Sequence, residues 1–191
     1  MTKLGFYVNM EVCTGCRTCQ VTCKEKNRLP IGEVFRHVAT YETGEYPHPG
    51  HFHYSGSCNH CENPACVENC PTGAMYIDSK DGTVQHDDEA CIGCRMCVMS
   101  CPYGIPQFSE SDGVVHKCNF CRDLPEDEQP VCVAACPQFA LEYGDIDELK
   151  AKHPDAVVDL PFLYPSSATS PKRIITPREA ALNEDATQKN L

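Results

Sequence analysis

At 191 residues the chain is long enough for one domain or two small ones, yet it has no Trp, few aromatics, 15 prolines and 16 cysteines, so its apolar core must be thin. A formal charge of −11 argues against nucleic acid as a partner. No apolar run reaches the roughly 18 residues of a membrane span, and no Sec or twin-arginine signal is legible at the amino terminus, which predicts a soluble subunit loaded in the cytoplasm.

The first predicted element is a strand over Gly5 to Asn9, followed at once by Cys13, Cys16, Cys19 and Cys23. The stretch from Lys24 to Ser57, punctuated by Pro30, Pro47 and Pro49, predicts a strand or two around Val34 to Thr40, joined by turns. A second run, Cys58, Cys61, Cys66 and Cys70, leads into Thr72 to Ile77, a turn at Lys80, Asp81 and Gly82, and a strand over Thr83 to His86. The Asp81-Gly82 pair between these apolar segments is a hairpin signal. Cys91, Cys94, Cys97 and Cys101 repeat the spacing of the first run, and Cys118, Cys121, Cys132 and Cys136 make a fourth run with a ten-residue gap inside it. Phe139 to Tyr143 reads as a strand. Asp145 to His153 reads as a short amphipathic helix, with Asp145 as N-cap and Asp147 and Glu148 in an acidic first turn. Beyond it, Pro154, Pro161, Pro165, Pro171 and Pro177 space out a cysteine-free tail. Leu160 to Tyr164 and Ile174-Ile175 carry apolar groups for which a disordered end has no use, so the tail is expected to be an extended arm docked on a partner.

Every run closes with the same C-x3-C step and no cysteine is left over. Runs one and three have the C-x2-C-x2-C-x3-C spacing of bacterial ferredoxins, and three runs end in Cys-Pro, at Pro71, Pro102 and Pro137. Two intervening residues let successive sulfurs face neighbouring irons, while the last cysteine of a run opens a helix and reaches a second cluster. Gly15 and Gly93, between the first two cysteines of their runs, suit a loop wrapped round an anion. Four ligands per cubane and sixteen cysteines predict four [4Fe-4S] clusters. Structural zinc uses C-x2-C pairs ten or more residues apart, which the fourth run could mimic and the third could not. A disulfide scaffold wants a short secreted chain, and covalent haem wants C-x2-C-H; neither pattern is present.

The fold class expected is α+β: two nested ferredoxin-like modules with short hairpins and helices, and an extended C-terminal arm. The outer module comprises 1–57 and 103–150, with an insertion at 24–57; the inner module is 58–102, and the tail is 151–191. Metal sites formed only on folding add their binding free energy to a thin core. Cubanes bring the holoprotein charge to about −19. Arg17, Lys24, Arg95, Lys117 and Arg122 lie in or beside the runs, where cations tune cluster potential. His60, between Cys58 and Cys61, reads as a packed or solvated loop residue rather than a spare ligand.

The segments Cys13-Thr-Gly-Cys-Arg-Thr-Cys, Cys58-Asn-His-Cys-Glu-Asn-Pro-Ala-Cys, Cys70-Pro-Thr-Gly-Ala-Met, Cys91-Ile-Gly-Cys-Arg-Met-Cys, Cys101-Pro-Tyr-Gly and Lys117-Cys-Asn-Phe-Cys resemble the iron-sulfur subunits of dimethyl sulfoxide reductase and polysulfide reductase type complexes. The resemblance covers about residues 4–150. It implies one cubane on Cys13, Cys16, Cys19 and Cys136, a second on Cys58, Cys61, Cys66 and Cys101, a third on Cys70, Cys91, Cys94 and Cys97, and a fourth on Cys23, Cys118, Cys121 and Cys132. Relatives that lack a cysteine in the third run hold a [3Fe-4S] centre there, but Cys94 and Cys97 are both present. The family implies a non-catalytic subunit that relays electrons between a membrane anchor subunit with a quinone site and a large molybdopterin subunit carrying molybdenum or tungsten, in an anaerobic respiratory complex. Membrane association then comes through partners, and the assembled pair could be exported folded on a signal carried by the catalytic subunit. Substrate choice lies in that other polypeptide. The competing expectation is a stand-alone polyferredoxin, or an oxidoreductase using its clusters with a different soluble partner; no G-x-G-x-x-G fingerprint follows a predicted strand.

Overall fold

The computed structural model describes residues 3–125 and 127–189. Met1, Thr2 and Glu126 of the expected outer module, and Asn190 and Leu191 of the tail, lie outside the described residues. In chain order the elements are β1 (Leu4–Asn9), α1 (Thr18–Lys26), β2 (His37–Thr43), β3 (Gly50–Gly56), α2 (Ala65–Glu68), β4 (Met75–Ile77), β5 (Val84–His86), α3 (Met96–Ser100), β6 (Gln107–Phe108), β7 (Val115–His116), α4 (Val131–Ala134), β8 (Leu141–Asp145), α5 (Ile146–Lys152), β9 (Arg173–Thr176) and β10 (Thr187–Lys189).

β1 is the middle strand of a three-stranded sheet. β8 pairs with it antiparallel, placing Phe6 opposite Tyr143, and β9 pairs parallel on the other edge, placing Phe6 opposite Arg173. Alternation along β1 sends Phe6 and Val8 to one face and Tyr7 to the other. Tyr7 packs with Ile146 and Leu149 of α5 and Ile174 of β9, and its ring stacks on His153 at a centroid distance of 3.7 Å. Phe6 and Val8 instead join a core that contains Cys19, Cys23, Cys58, Cys118, Cys132 and Cys136. One face of the sheet is thus an ordinary apolar layer and the other looks onto cysteines.

α5 starts as the sequence predicts. Asp145 Oδ1 accepts the Asp147 N–H at 2.9 Å, and Lys150 and Lys152 occupy the last turn, matching the helix dipole at both ends. The hairpin β4–β5 also forms where Asp81-Gly82 predicts it, with Met75 opposite His86 and the Asp78 N–H donating to the Thr83 carbonyl at 2.8 Å. The strand after Cys136 begins later than predicted, at Leu141, because Phe139 takes a left-handed φ of 50° that closes the Cys-Pro turn. Around Val34 to Thr40 the strand is shifted to His37–Thr43, since the Val34 N–H is taken by the Gln107 side chain. The small hairpin β6–β7 has no counterpart among the predicted elements.

The tail differs most from expectation. Ile174 and Ile175 are fully buried within β9, Leu160 joins the cysteine-containing core and Phe162 and Leu163 pack against it, so of the large apolar side chains that suggested a docking arm only Tyr164 is exposed. β10 then pairs antiparallel with β2, so the tail contributes one strand to each three-stranded sheet. A short apolar segment is equally consistent with a partner's groove and with a neighbouring strand; only the unsatisfied edge of β1 decides between them.

Candidate metal centres

The four cysteine runs adopt two repeated backbone loops. In runs one and three, Gly15 and Gly93 have φ of 68° and 66°, Arg17 and Arg95 have φ of 62° and 63°, and a helix starts on the next residue. In runs two and four, His60 and Phe120 hold the equivalent positive φ just before the second cysteine. Each Cys-Pro step is followed two residues later by a left-handed residue: Gly73, Gly104 and Phe139. That turn aims amides at sulfur, with the Ala140 N–H donating to Cys136 Sγ at 3.3 Å and the Met75 N–H to Cys70 Sγ at 3.5 Å. A Cβ at Gly15 would lie 2.5 Å from the His53 ring, and one at Gly93 would collide with the Gly113 carbonyl.

These loops gather cysteines that are far apart in sequence. Cys13, Cys16, Cys19 and Cys136 line one small cavity, and Cys70, Cys91, Cys94 and Cys97 line another. Burial pushes the Cys23 thiol up to about 12, with Cys132 and Cys121 adding to it. Burial likewise raises Cys66 to about 12, helped by Cys58, Cys101 and Cys61, and Cys61 to about 11, where Cys58 and Cys101 contribute. Burial also raises Cys118, and its neighbours Cys58, Cys23 and Cys132 add to the effect. Two thiols are lowered: Cys16, chiefly by the Thr18 hydroxyl, and Cys70, where the Met75 amide and Thr72 outweigh burial. None of the sixteen cysteines is in a disulfide, and only Cys16 and Cys94 are exposed.

The polar surroundings fit an anionic sulfur-rich group. Of seven buried side-chain polar atoms without a partner among the described residues, six are nitrogens: Arg36 Nε, Asn59 Nδ2, His60 Nε2, His86 Nε2, and Arg173 Nε and Nη2. His60 Nδ1 accepts the Val84 N–H at 3.0 Å, so its Nε2 carries the hydrogen and wants an acceptor. Arg36, Lys117, Lys172 and Arg173 are all buried and make no ion pair among the described residues. Burial alone would pull the Arg36 pKa down, but Cys132, Cys19 and Cys118 outweigh it and raise it. Uncompensated buried cations are costly. Thiolate-bound cubanes held by these cysteines would supply that negative charge and those acceptors.

Known proteins agree with this chemistry. Residues 50–146 match the family described as a 4Fe-4S dicluster domain, and residues 10–26 match a 4Fe-4S binding domain. One of the chains of the anaerobic dimethyl sulfoxide reductase of Escherichia coli strain K12 is 43% identical over 187 residues, spanning 92% of this chain and 89% of the relative. The protein belongs to the iron-sulfur subunits of the dimethyl sulfoxide reductase family. The corresponding chain of the Haemophilus influenzae reductase is 40% identical over 95% of this chain and 92% of the relative. A subunit of the sulfite dehydrogenase of Allochromatium vinosum is 35% identical over 93% and 84%. As an iron-sulfur subunit it is an electron-transfer chain rather than a catalytic one. No described helix is long and apolar enough to cross a membrane.

Of the cations that flank the runs of this iron-sulfur subunit, only Lys117 is buried, its Nζ donating to the carbonyls of Val84 and Cys118. Arg95 lies over the Phe108 ring at 3.7 Å and pairs with Glu110, Arg122 pairs with Asp78, and Lys24 donates to the Pro30 and Glu33 carbonyls. His60 is packed, and burial holds it neutral by keeping its pKa well below the usual value. The buried cations Arg36, Lys172 and Arg173 escaped sequence reading because they lie 13 or more residues from the nearest cysteine. A charged residue heading an otherwise apolar strand, as Arg173 does before Ile174-Ile175, is the one signal that could have found any of them.

Proposed function

We propose that the iron-sulfur subunit holds four [4Fe-4S] clusters: one on Cys13, Cys16, Cys19 and Cys136, one on Cys23, Cys118, Cys121 and Cys132, one on Cys58, Cys61, Cys66 and Cys101, and one on Cys70, Cys91, Cys94 and Cys97. The two cavities lined by complete sets, and the mutual influence of Cys23 with Cys121 and Cys132 and of Cys66 with Cys58, Cys61 and Cys101, support this distribution. When bound, such a cluster takes up and returns one electron. The chain supplies the thiolates, the buried cations and the amides that stabilise the reduced state.

The four sites follow one another as a line. Cys19 of the first is influenced by Cys132 of the second, and Cys118 of the second by Cys58 of the third. The observation that carries the reading is that the only two exposed cysteines, Cys16 and Cys94, belong to the two outer sites. Each outer site is also rimmed by exposed apolar side chains: Val12, Val21 and Phe139 beside the first, Ile92, Met96 and Met99 beside the last. This suits a wire contacting one partner at each end. The first end takes a large molybdopterin subunit with molybdenum or tungsten, and the other a membrane anchor subunit with a quinone site, which keeps this subunit at the membrane through its partners. The paired runs one with four and two with three make the nested modules 1–57 plus 103–150 and 58–102. The test is composition: anaerobically reconstituted protein binds about sixteen iron and sixteen sulfide. Zinc in their place, or about half that iron, overturns the reading.

A further inference from the structure

One group of ligand-type side chains stands apart from the cysteines. His86 ends β5, Asp88 follows it in the loop, and His116 ends β7 of the small unpredicted hairpin. One ligand atom from each lies within 4.8 Å of the other two. His86 Nδ1 is 2.8 Å from Asp88 Oδ1, and His116 Nδ1 is 3.7 Å from the same oxygen. Donors about 2.0–2.2 Å from a shared tetrahedral ion lie roughly 3.3–3.5 Å apart, a spacing that these two distances bracket. The three residues line a cavity of about 430 Å³, and the exposed Asp88 gives it a way in.

The ring orientations suit a cation. His116 Nε2 is 2.8 Å from Asp112 Oδ2, and an ionised carboxylate only accepts, so Nε2 carries the hydrogen, and in the neutral imidazole Nδ1 turns its lone pair toward Asp88. His86 also lines the cavity of Cys70, Cys91, Cys94 and Cys97, and its Nε2 is buried without a partner among the described residues. If that cavity holds a cubane, as proposed above, its sulfurs accept from Nε2–H, and His86 Nδ1 too presents a lone pair to Asp88 Oδ1. With both imidazoles neutral and their Nε2 hydrogens so placed, neither nitrogen facing that oxygen carries a hydrogen. A divalent ion serves both.

We propose that His86, Asp88 and His116 bind a divalent transition ion of the zinc type, with Asp112 orienting His116 as a carboxylate behind a metal-bound imidazole. Two imidazoles and one carboxylate form a donor set of intermediate softness, suited to zinc rather than calcium or magnesium. The ion ties β7 to β5 across the wall of the last cysteine site, and an open fourth position is left to water or to a partner's side chain.

The test uses holoprotein whose iron and sulfide have been counted, treated with chelator and then equilibrated with zinc chloride alone. About one zinc per chain is retained with iron unchanged; His116→Ala abolishes the retention, Asp88→Asn weakens it, and Asp112→Asn lowers the affinity about 10–100-fold. Zinc retention equal in wild type and His116→Ala, or none in either, overturns the inference. Iron and sulfide counts report on the cubanes and the zinc difference on this site, so the two readings fail separately.

Discussion

The Arg36 guanidinium lies 4.7 Å from the centre of the Phe6 ring, and its Nη2 donates to Ser57 Oγ at 2.9 Å, which fixes a full positive charge in the core. Cys132, Cys19 and Cys118 lie near enough that, as thiolate ligands, their charge would offset the burial of this cation. A charge a few ångströms from an acceptor, at an effective dielectric constant near 20, is worth a few kcal/mol. Arg36→Met is therefore expected to lower the midpoint potential of the cluster proposed on Cys23, Cys118, Cys121 and Cys132 by on the order of 100 mV, while Arg36→Lys retains part of it. Redox titration followed by EPR reads this directly. Unchanged potentials in a fully loaded Arg36→Met protein would show that the guanidinium is only a packing element.

Folding of the tail into both sheets makes a second prediction. Ile175 is fully buried between β1 and Val157, whose N–H donates to the Ile175 carbonyl at 2.8 Å. Ile175→Ala is expected to cost about 2–5 kcal/mol, whereas Tyr164→Ala, at a half-exposed side chain, should change little. Thermal unfolding of the holoprotein compares them. An Ile175→Ala protein of unchanged stability that loses its partner would restore the docking-arm view.

Much of the fold is legible in the chain itself. Cysteine spacing is a chemical constraint on local loops, so runs one and three are recognisable from sequence and fold alike at Gly15 and Gly93. The cap at Asp145 and the Asp81-Gly82 hairpin are likewise short-range signals that tertiary context left intact. What sequence could not supply was long-range pairing. β9 meets β1 across more than 160 residues, and Arg36 reaches Cys118 and Cys132 through space alone. The pair His86 and His116 is unremarkable in sequence for the same reason, being joined only when the β6–β7 hairpin folds against β5.

Glycine geometry separates strain from collision. Gly15 has φ of 68° and no room for a Cβ beside the His53 ring, while Gly73 has φ of 72° and open space around it. Gly73→Ala pays only for the left-handed backbone, about 1 kcal/mol. Gly15→Ala adds a clash that must displace either His53 or the loop carrying Cys13 and Cys16. Reconstituted Gly15→Ala should lose about a quarter of its iron, and Gly73→Ala should keep all of it. Equal iron in the two proteins would refute the collision.

On the proposed wire the two exposed cysteines mark different ends, which sets a test of the route. Cys16 belongs with Val12, Val21 and Phe139, Cys94 with Ile92, Met96 and Met99. If the first end meets the catalytic subunit, Cys16→Ser should stop quinol-dependent turnover in an assembled complex, and so should Cys94→Ser, because either change interrupts the line. With an artificial soluble donor that reduces the catalytic subunit directly, turnover should survive in both. EPR of the complex reduced from quinol tells the two apart. Cys94→Ser should leave all remaining clusters oxidised, while Cys16→Ser should let the sites beyond it fill with electrons that have no exit. The opposite pattern would reverse the assignment of the ends, and full quinol-dependent turnover in a complex shown to lack the Cys16 cluster would remove that site from the route.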